Sequence, residues 1–224
     1  MALQPLTPER RRDQTRQHLL AAAAEVFAER GFHGASLDEV AAVAGFTKGA
    51  VYSNFRNKED LFIALFKATY KRETEALRAT LQRSEVPPED RLSDFVALLG
   101  NQTHMSGDNF ALLYQEFWLY AARNPSARER LTQIDDEEVQ SVAEIIEAER
   151  DRWGMEPLES AVQVARIVEV LFRGIGLLRV LQPEVADDEF VEAAISFVAR
   201  GLGSGPAVDR TGSPTEAPGA KTNA

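Results

Sequence analysis

The chain has 224 residues, 44% hydrophobic and 27% charged, a globular composition sufficient for one large domain or two small ones. It has no cysteine and three histidines, which excludes disulfides, thiolate metal sites and thiol nucleophiles and leaves little for imidazole chemistry. The formal charge of −10 is unevenly placed: residues 1–83 carry 13 Lys and Arg against 10 Asp and Glu, and residues 84–224 carry 12 against 25, so a mildly basic front end joins a strongly acidic remainder.

No run approaches the roughly 20 apolar residues of a spanning helix, and the first residues lack the apolar stretch of a secretory signal. A cytoplasmic protein without membrane contact is therefore expected. Periodicity is helical almost throughout, which predicts an all-α fold of about nine helices. The first helix is expected from Asp13 to Arg30, with Leu20, Ala23, Ala24 and Phe27 on one stripe and Gly31 ending it. Ser36 and Glu39 have the capping-box spacing and open a short helix over Leu37–Ala44. Gly45 breaks that helix, and Thr47 caps another from Lys48 to Asn54. Asn57 and Asp60 cap a long fourth helix carrying Leu61, Leu65 and Ala68 towards Leu81.

Pro87 and Pro88 are the next strong breakers, in the region where the charge changes sign. Further helices are expected over Glu89–Gln102, Asp108–Arg123, Pro125–Arg152, Leu158–Leu181 and Asp188–Arg200. From Gly203 onward the chain has no apolar period and is rich in Gly and Pro, so residues 203–224 are expected to be a disordered tail.

Two helices of about two turns, joined by a short turn with a glycine, are too short to stand alone and must share a core. Leu37, Val40, Ala44, Phe46, Val51 and Phe55 supply it together with Phe27 and Leu61, and small Ala41 and Gly45 suit a close crossing. The outward set on the second helix is Lys48, Gly49, Ala50, Tyr52 and Ser53, small or donor-bearing residues that let a helix enter a DNA groove.

The stretch from Arg16 to Leu61 resembles the DNA-binding domain of the tetracycline-repressor (TetR) family of bacterial transcription regulators. The resemblance rests on Leu20, Ala23, Phe27, Gly31, Phe32, Ser36-Leu37, Val40, Ala41, Ala44-Gly45-Phe46-Thr47, Gly49, Val51-Tyr52, Phe55, Lys58-Glu59 and Leu61, in family order without a gap. It implies a helix-turn-helix DNA-binding domain over 1–60 and a helical effector-binding and dimerisation domain over 61–202. It also implies roles for single residues. Thr47 and Tyr52 would contact phosphates, Lys48 and Gly49 would face base edges, Lys58 would reach the backbone, and Ser36 would add a phosphate contact. Asn54 stands where many members carry His, so an amide would take that phosphate contact. Arg10, Arg11, Arg12 and Arg16 are either a solvated lead-in or an arm that follows the DNA backbone or enters the minor groove.

In the acidic half, Phe110, Tyr114, Phe117, Trp118 and Ala121 give one helix an aromatic face, with Glu116 and Tyr120 beside it. This face is either core or the wall of an effector cavity, to which Phe95, Leu99, His104, Met105, Trp153, Phe172 and Arg173 could contribute. The expected effector is an apolar or aromatic small molecule, with a weak positive charge allowed by the acidic surroundings. The last two helices are apolar around most of their circumference, including Leu171, Ile175, Phe190 and Phe197. Such surface asks for a partner, and the resemblance implies a homodimer through these helices, with Leu171 and Ile175 expected at the seam.

Asp135-Asp136-Glu137-Glu138 reads as a solvated acidic run. No cofactor, metal site or catalytic group is implied: there is no phosphate-cradling glycine loop, no serine elbow and no Glu-x-x-His pair. The expected function is a ligand-responsive transcriptional repressor on a pseudo-palindromic operator. A helical carrier or enzyme with a merely structural helix-turn-helix is the alternative.

Overall fold

The structure, a computed structural model, describes residues 7–83, 107–153 and 160–203. Its elements in chain order are α1 Pro8–Gly34, α2 Leu37–Ala44, α3 Lys48–Asn54, α4 Lys58–Arg83, α5 Gly107–Arg123, α6 Pro125–Trp153, α7 Ala161–Leu181 and α8 Asp188–Gly203. Among the described residues every element is helical, as the periodicity predicts. The helix expected over Glu89–Gln102 and the tail beyond Gly203 lie outside the described residues.

Local chemistry sets most helix ends. Thr47 caps α3 by accepting from the Ala50 N–H at 3.2 Å. Ser36 and Glu39 form the reciprocal box at α2: the Glu39 N–H donates to Ser36 Oγ, and the Ser36 N–H donates to Glu39 Oε2. Gly45 closes α2 in the left-handed region at φ 69°. The beginning of α1 differs from expectation. Thr7 and Pro8 start it five residues before Asp13, Thr7 as the cap and Pro8 where a missing N–H is harmless, so Arg10, Arg11, Arg12 and Arg16 are helical and form no extended arm.

Two apolar cores are stacked along the long helices. The first joins α1, α2, α3 and the front of α4 to α5 and the start of α6, with Phe27, Val51, Leu61, Phe62, Phe66 and Phe117 fully enclosed. The second joins Leu77 and Leu81 of α4 to Val139–Ile146 of α6, to α7 and to Val191 of α8. The short helices pack as their sequence predicts, although Ala24 faces solvent and Leu19, Ala22 and Val26 are buried instead. The first core passes through residue 60 without a break: α5 fills the space between head and body, so the head rests on the body as one packed unit.

Candidate nucleic-acid interface

The head presents α3 on its outside. Thr47, Lys48, Gly49, Tyr52 and Ser53 are exposed, Tyr52 at 55%, while Val51 and Phe55 are buried beneath them. The Thr47 hydroxyl, the Lys48 ammonium and the Tyr52 phenol are donors of the kind that phosphates and base edges accept from, and Ser36 is exposed at the start of α2 with its hydroxyl donating to Glu39 Oε2 at 2.9 Å. Lys48 Nζ is hydrogen-bonded to Asp38 of α2, whose bond and charge raise the Lys48 pKa and keep the ammonium charged.

Two expected contact residues are placed differently. Asn54 turns inward: its Nδ2 donates to the Ala50 carbonyl at 2.8 Å, and its Oδ1 is enclosed without a hydrogen-bond partner among the described residues. Lys58 lies across the Phe32 ring, 4.9 Å from its centre, and donates to the carbonyls of His33 and Ala35, each at 2.9 Å. Two of its three hydrogens thus close the end of α1, and burial lowers its pKa. Arg16 is also structural, with its guanidinium 4.5 Å from the Phe55 ring centre and its NH1 donating to the Asn54 carbonyl at 3.3 Å.

The junction between head and body is polar and specific. Gly31 bends α1 at φ 67° and ψ 175°, a conformation reserved for glycine. Into that bend reaches Glu116 of α5, whose Oε2 accepts from the Phe32 N–H at 2.6 Å. A cleft of about 300 Å³ opens beside it, lined by Glu29, Arg30, Leu112 and Glu116 among others. On the far side of the Phe32 ring, the Tyr120 hydroxyl donates to Glu59, and Asp60 accepts from Arg56 and Arg130, both at 2.6 Å.

The aromatic face of α5 is filled with protein. Phe117 stacks on Phe62 at 4.2 Å, Phe110 stacks on Phe66 at 4.6 Å, and Tyr114 lies 5.3 Å from Phe66. Trp118 points away from these rings and is 47% exposed. Phe172 is half-buried against the second core, and Phe95, Leu99, His104 and Met105 lie outside the described residues.

Arg173 is the centre of a polar belt between the two cores. Its NH2 donates to Asp135 at 2.9 Å and also to Glu169, and its guanidinium lies 4.2 Å over the Tyr114 ring, whose hydroxyl donates to Asp135 at 3.1 Å. Asp135, Glu138 and Glu169 bring carboxylate oxygens within 4.8 Å of one another, and Arg173 is the cation bound to two of the three. Glu138 Oε2 is buried with no partner among the described residues. Burial raises the pKa of Asp135, Glu138 and Glu169, and pushes Glu73 on α4 up to about 7. Asp135 is therefore no part of a solvated run. A helix turns about 100° per residue, so four consecutive acids sweep most of its circumference and some must face inward; that geometry is the sequence signal for the belt.

On α7, Ile175 is buried within the protomer at 3% and Leu171 is half-buried, so the expected seam residues face inward. The outward stripe is Ile167, Val170, Gly174 and Leu181, continued by Val185, Phe190 and Phe197. Among the described residues nothing lies within 4 Å of where a side chain at Gly174 would begin, whereas a Cβ at Gly176 would stand 3.2 Å from that of Ala111 on α5.

The sequence profile of bacterial regulatory proteins of the tetR family matches residues 19–65, and that of the BetI-type transcriptional repressor C-terminal region matches residues 88–203. The chain is 45% identical over 56 residues to the HTH-type transcriptional activator FasR of Mycolicibacterium smegmatis, covering 25% of this chain and 26% of that one. It is 31% identical over 88 residues to the HTH-type transcriptional repressor DhaR of Mycobacterium sp. strain GP1, covering 39% and 44%. These matches span less than half the length of either relative. The crystal structure of the transcriptional regulator FadR of Bacillus subtilis, in complex with stearoyl-CoA, superimposes with a TM-score of 0.63 at 20% identity over 85% of this chain and 98% of that one, which shows a common fold. With both profiles together spanning the head and most of the body, the chain belongs to the TetR family of bacterial transcription regulators.

Proposed function

We propose that the protein is a homodimeric, ligand-responsive DNA-binding regulator of the cytoplasm, a repressor that grips a pseudo-palindromic operator and is released by a small molecule. The observation that carries this reading is the exposed face of α3, where Thr47, Lys48, Gly49 and Tyr52 stand over a buried Val51 and Phe55. Thr47, Tyr52 and Ser36 position the head on phosphates, Gly49 allows close approach, and Lys48 reads a base edge. Asn54 and Lys58 hold the shape of the head.

The dimer forms through the outward stripe of α7 and α8, which holds the two α3 helices about 34–36 Å apart, or a multiple of one DNA turn. An effector that favours another separation loses one half-site. For the effector we infer an apolar or aromatic molecule that reaches the half-buried Phe110, Phe172 and Arg173, with Tyr114 and Phe117 packed beneath as core. The Arg173 guanidinium is already held by Asp135 and Glu169, which disfavours an anion on it.

Selection of bound duplexes from random DNA, repeated at several salt concentrations, tests the first part. A short palindrome bound with a steep salt dependence is expected, and sequence-blind binding refutes it. Calorimetry with lipophilic cations, neutral aromatics and acyl-CoA molecules tests the effector, and binding of acyl-CoA alone overturns the charge argument. By linkage, operator must weaken effector binding by the factor with which effector weakens operator binding. Equal effector affinity with and without operator refutes release.

A further inference from the structure

Asp38 carries a negative charge on the side of the head that meets DNA. Affinity for phosphates cannot explain it, because a carboxylate there repels them. Asp38 occupies the first turn of α2, where the unpaired N–H groups of the helix start favour an anion. Lys48 occupies the first position of α3, where the same field disfavours a cation. The two side chains meet in solvent, 46% and 68% exposed, with Lys48 Nζ donating to Asp38 Oδ2. Lys48 is the one long cationic side chain on the exposed face of α3, among Gly49, Tyr52 and Ser53.

An unpaired lysine is a flexible point charge that swings to the nearest phosphate and reads no sequence. A lysine held by a carboxylate behaves otherwise. One hydrogen is committed to Asp38, the local charge is cancelled, and two hydrogens remain. Beside them the carboxylate still has free acceptor sites. An ammonium next to a carboxylate matches the major-groove edge of one G·C pair, where guanine offers N7 and O6 as acceptors and cytosine offers its amino group as donor. Against A·T or C·G, one member of the couple faces a group of its own kind; T·A keeps one acceptor beside one amino group but puts a methyl where guanine offers N7, so one ammonium hydrogen loses its partner.

We propose that Asp38 is the specificity-positioning residue of this head: it aims Lys48 at a G·C pair in each half-site and denies Lys48 to phosphates. The inference rests on α3 being the recognition helix with Lys48 facing bases.

The test uses the full-length protein with a pool of duplexes randomised across the selected operator, and compares Asp38→Asn, Asp38→Glu and Lys48→Met with the parent. Melting of each variant is recorded alongside. Asp38→Asn should bind unrelated duplex more tightly and steepen the salt dependence by up to roughly one logarithmic unit per half-site. Its preference for G·C at one position should fall roughly tenfold. Asp38→Glu keeps the charge but moves the ammonium, so it should lose preference at the same position with the salt dependence unchanged. A merely structural Asp38 would shift melting and leave the base preference in place, and that result overturns the inference. If Lys48→Met keeps the parent's preference at every position, the assignment of Lys48 to base edges fails first and takes this inference with it. A change with Lys48→Met but none with either Asp38 variant leaves the recognition helix standing and removes Asp38 from it.

Discussion

Replacing Gly31 by alanine should strain the junction between head and body in two separable ways. The backbone at φ 67° and ψ 175° lies where side chains are rarely tolerated, at about 1–3 kcal/mol for a residue forced to stay. The new Cβ would also stand 2.7 and 2.8 Å from the two carboxylate oxygens of Glu116, too close for either to remain. Glu116 must then swing away and abandon the Phe32 N–H, a charge-assisted bond worth about 1.5–3 kcal/mol. Together these give about 2.5–6 kcal/mol, a large share of the roughly 5–15 kcal/mol of a typical domain. For a chain of this size that is a fall in melting temperature on the order of 10 °C. Urea unfolding of Gly31→Ala, Glu116→Ala and the double variant checks the reasoning. Because both single changes lose the same hydrogen bond, the double variant should be less destabilised than the sum by about 1.5–3 kcal/mol. A Gly31→Ala protein within about 1 kcal/mol of the parent, or strict additivity in the cycle, would refute the reasoning.

Glu73 gives a dependence on pH with a defined sign. Its folded pKa of about 7 lies above the ordinary 4.5, so the folded state holds the proton more tightly and stability falls as pH rises from about 4.5 to 7. Glu73→Gln should therefore match the parent near pH 4.5 and exceed it by up to about 3 kcal/mol at pH 8, read from melting curves across that range; a gap that does not grow with pH removes the burial argument. Ile167→Glu, on the outward stripe of α7, should give a folded monomer by sedimentation, whereas Ile175→Asp should unfold the chain because that residue is 3% exposed within one protomer. A folded dimer from Ile167→Glu would move the seam elsewhere. Lys58→Met should lower stability by about 2 kcal/mol through the two carbonyls it leaves unpaired and change the salt dependence of operator binding little; a loss of one full phosphate contact without loss of stability contradicts its structural placement.

The head was legible because its determinants are local. The Ser36–Glu39 box, the Thr47 cap and the left-handed Gly45 are satisfied within three or four residues, so spacing alone fixes where α2 and α3 start and stop. The buried set beneath α3 follows from the same periodicity, and so does the exposure of Lys48, Gly49 and Tyr52 above it. Sequence also placed the end of α1 at Gly31, where the helix instead bends and runs on to Gly34. It could not announce that Glu116 enters the bend, since that carboxylate comes from 84 residues away and its position depends on how α5 is seated. Lys58 shows the same limit: its type and place suit a phosphate, and only the path of the α1–α2 connection puts two carbonyls within its reach. On α7 the apolar residues surround the helix, so periodicity names no inner face. Packing of Val164, Ala165 and Val168 against α4 and α6 sets the rotation that buries Ile175 and turns Ile167 and Val170 outward. Asp135 and Glu138 obey the same rule: a run of acids declares its charge but not its side. Hydrogen bonds along one helix are set by adjacency in the chain, whereas the rotation of a helix about its axis, and every partner reached from another helix, are set by packing.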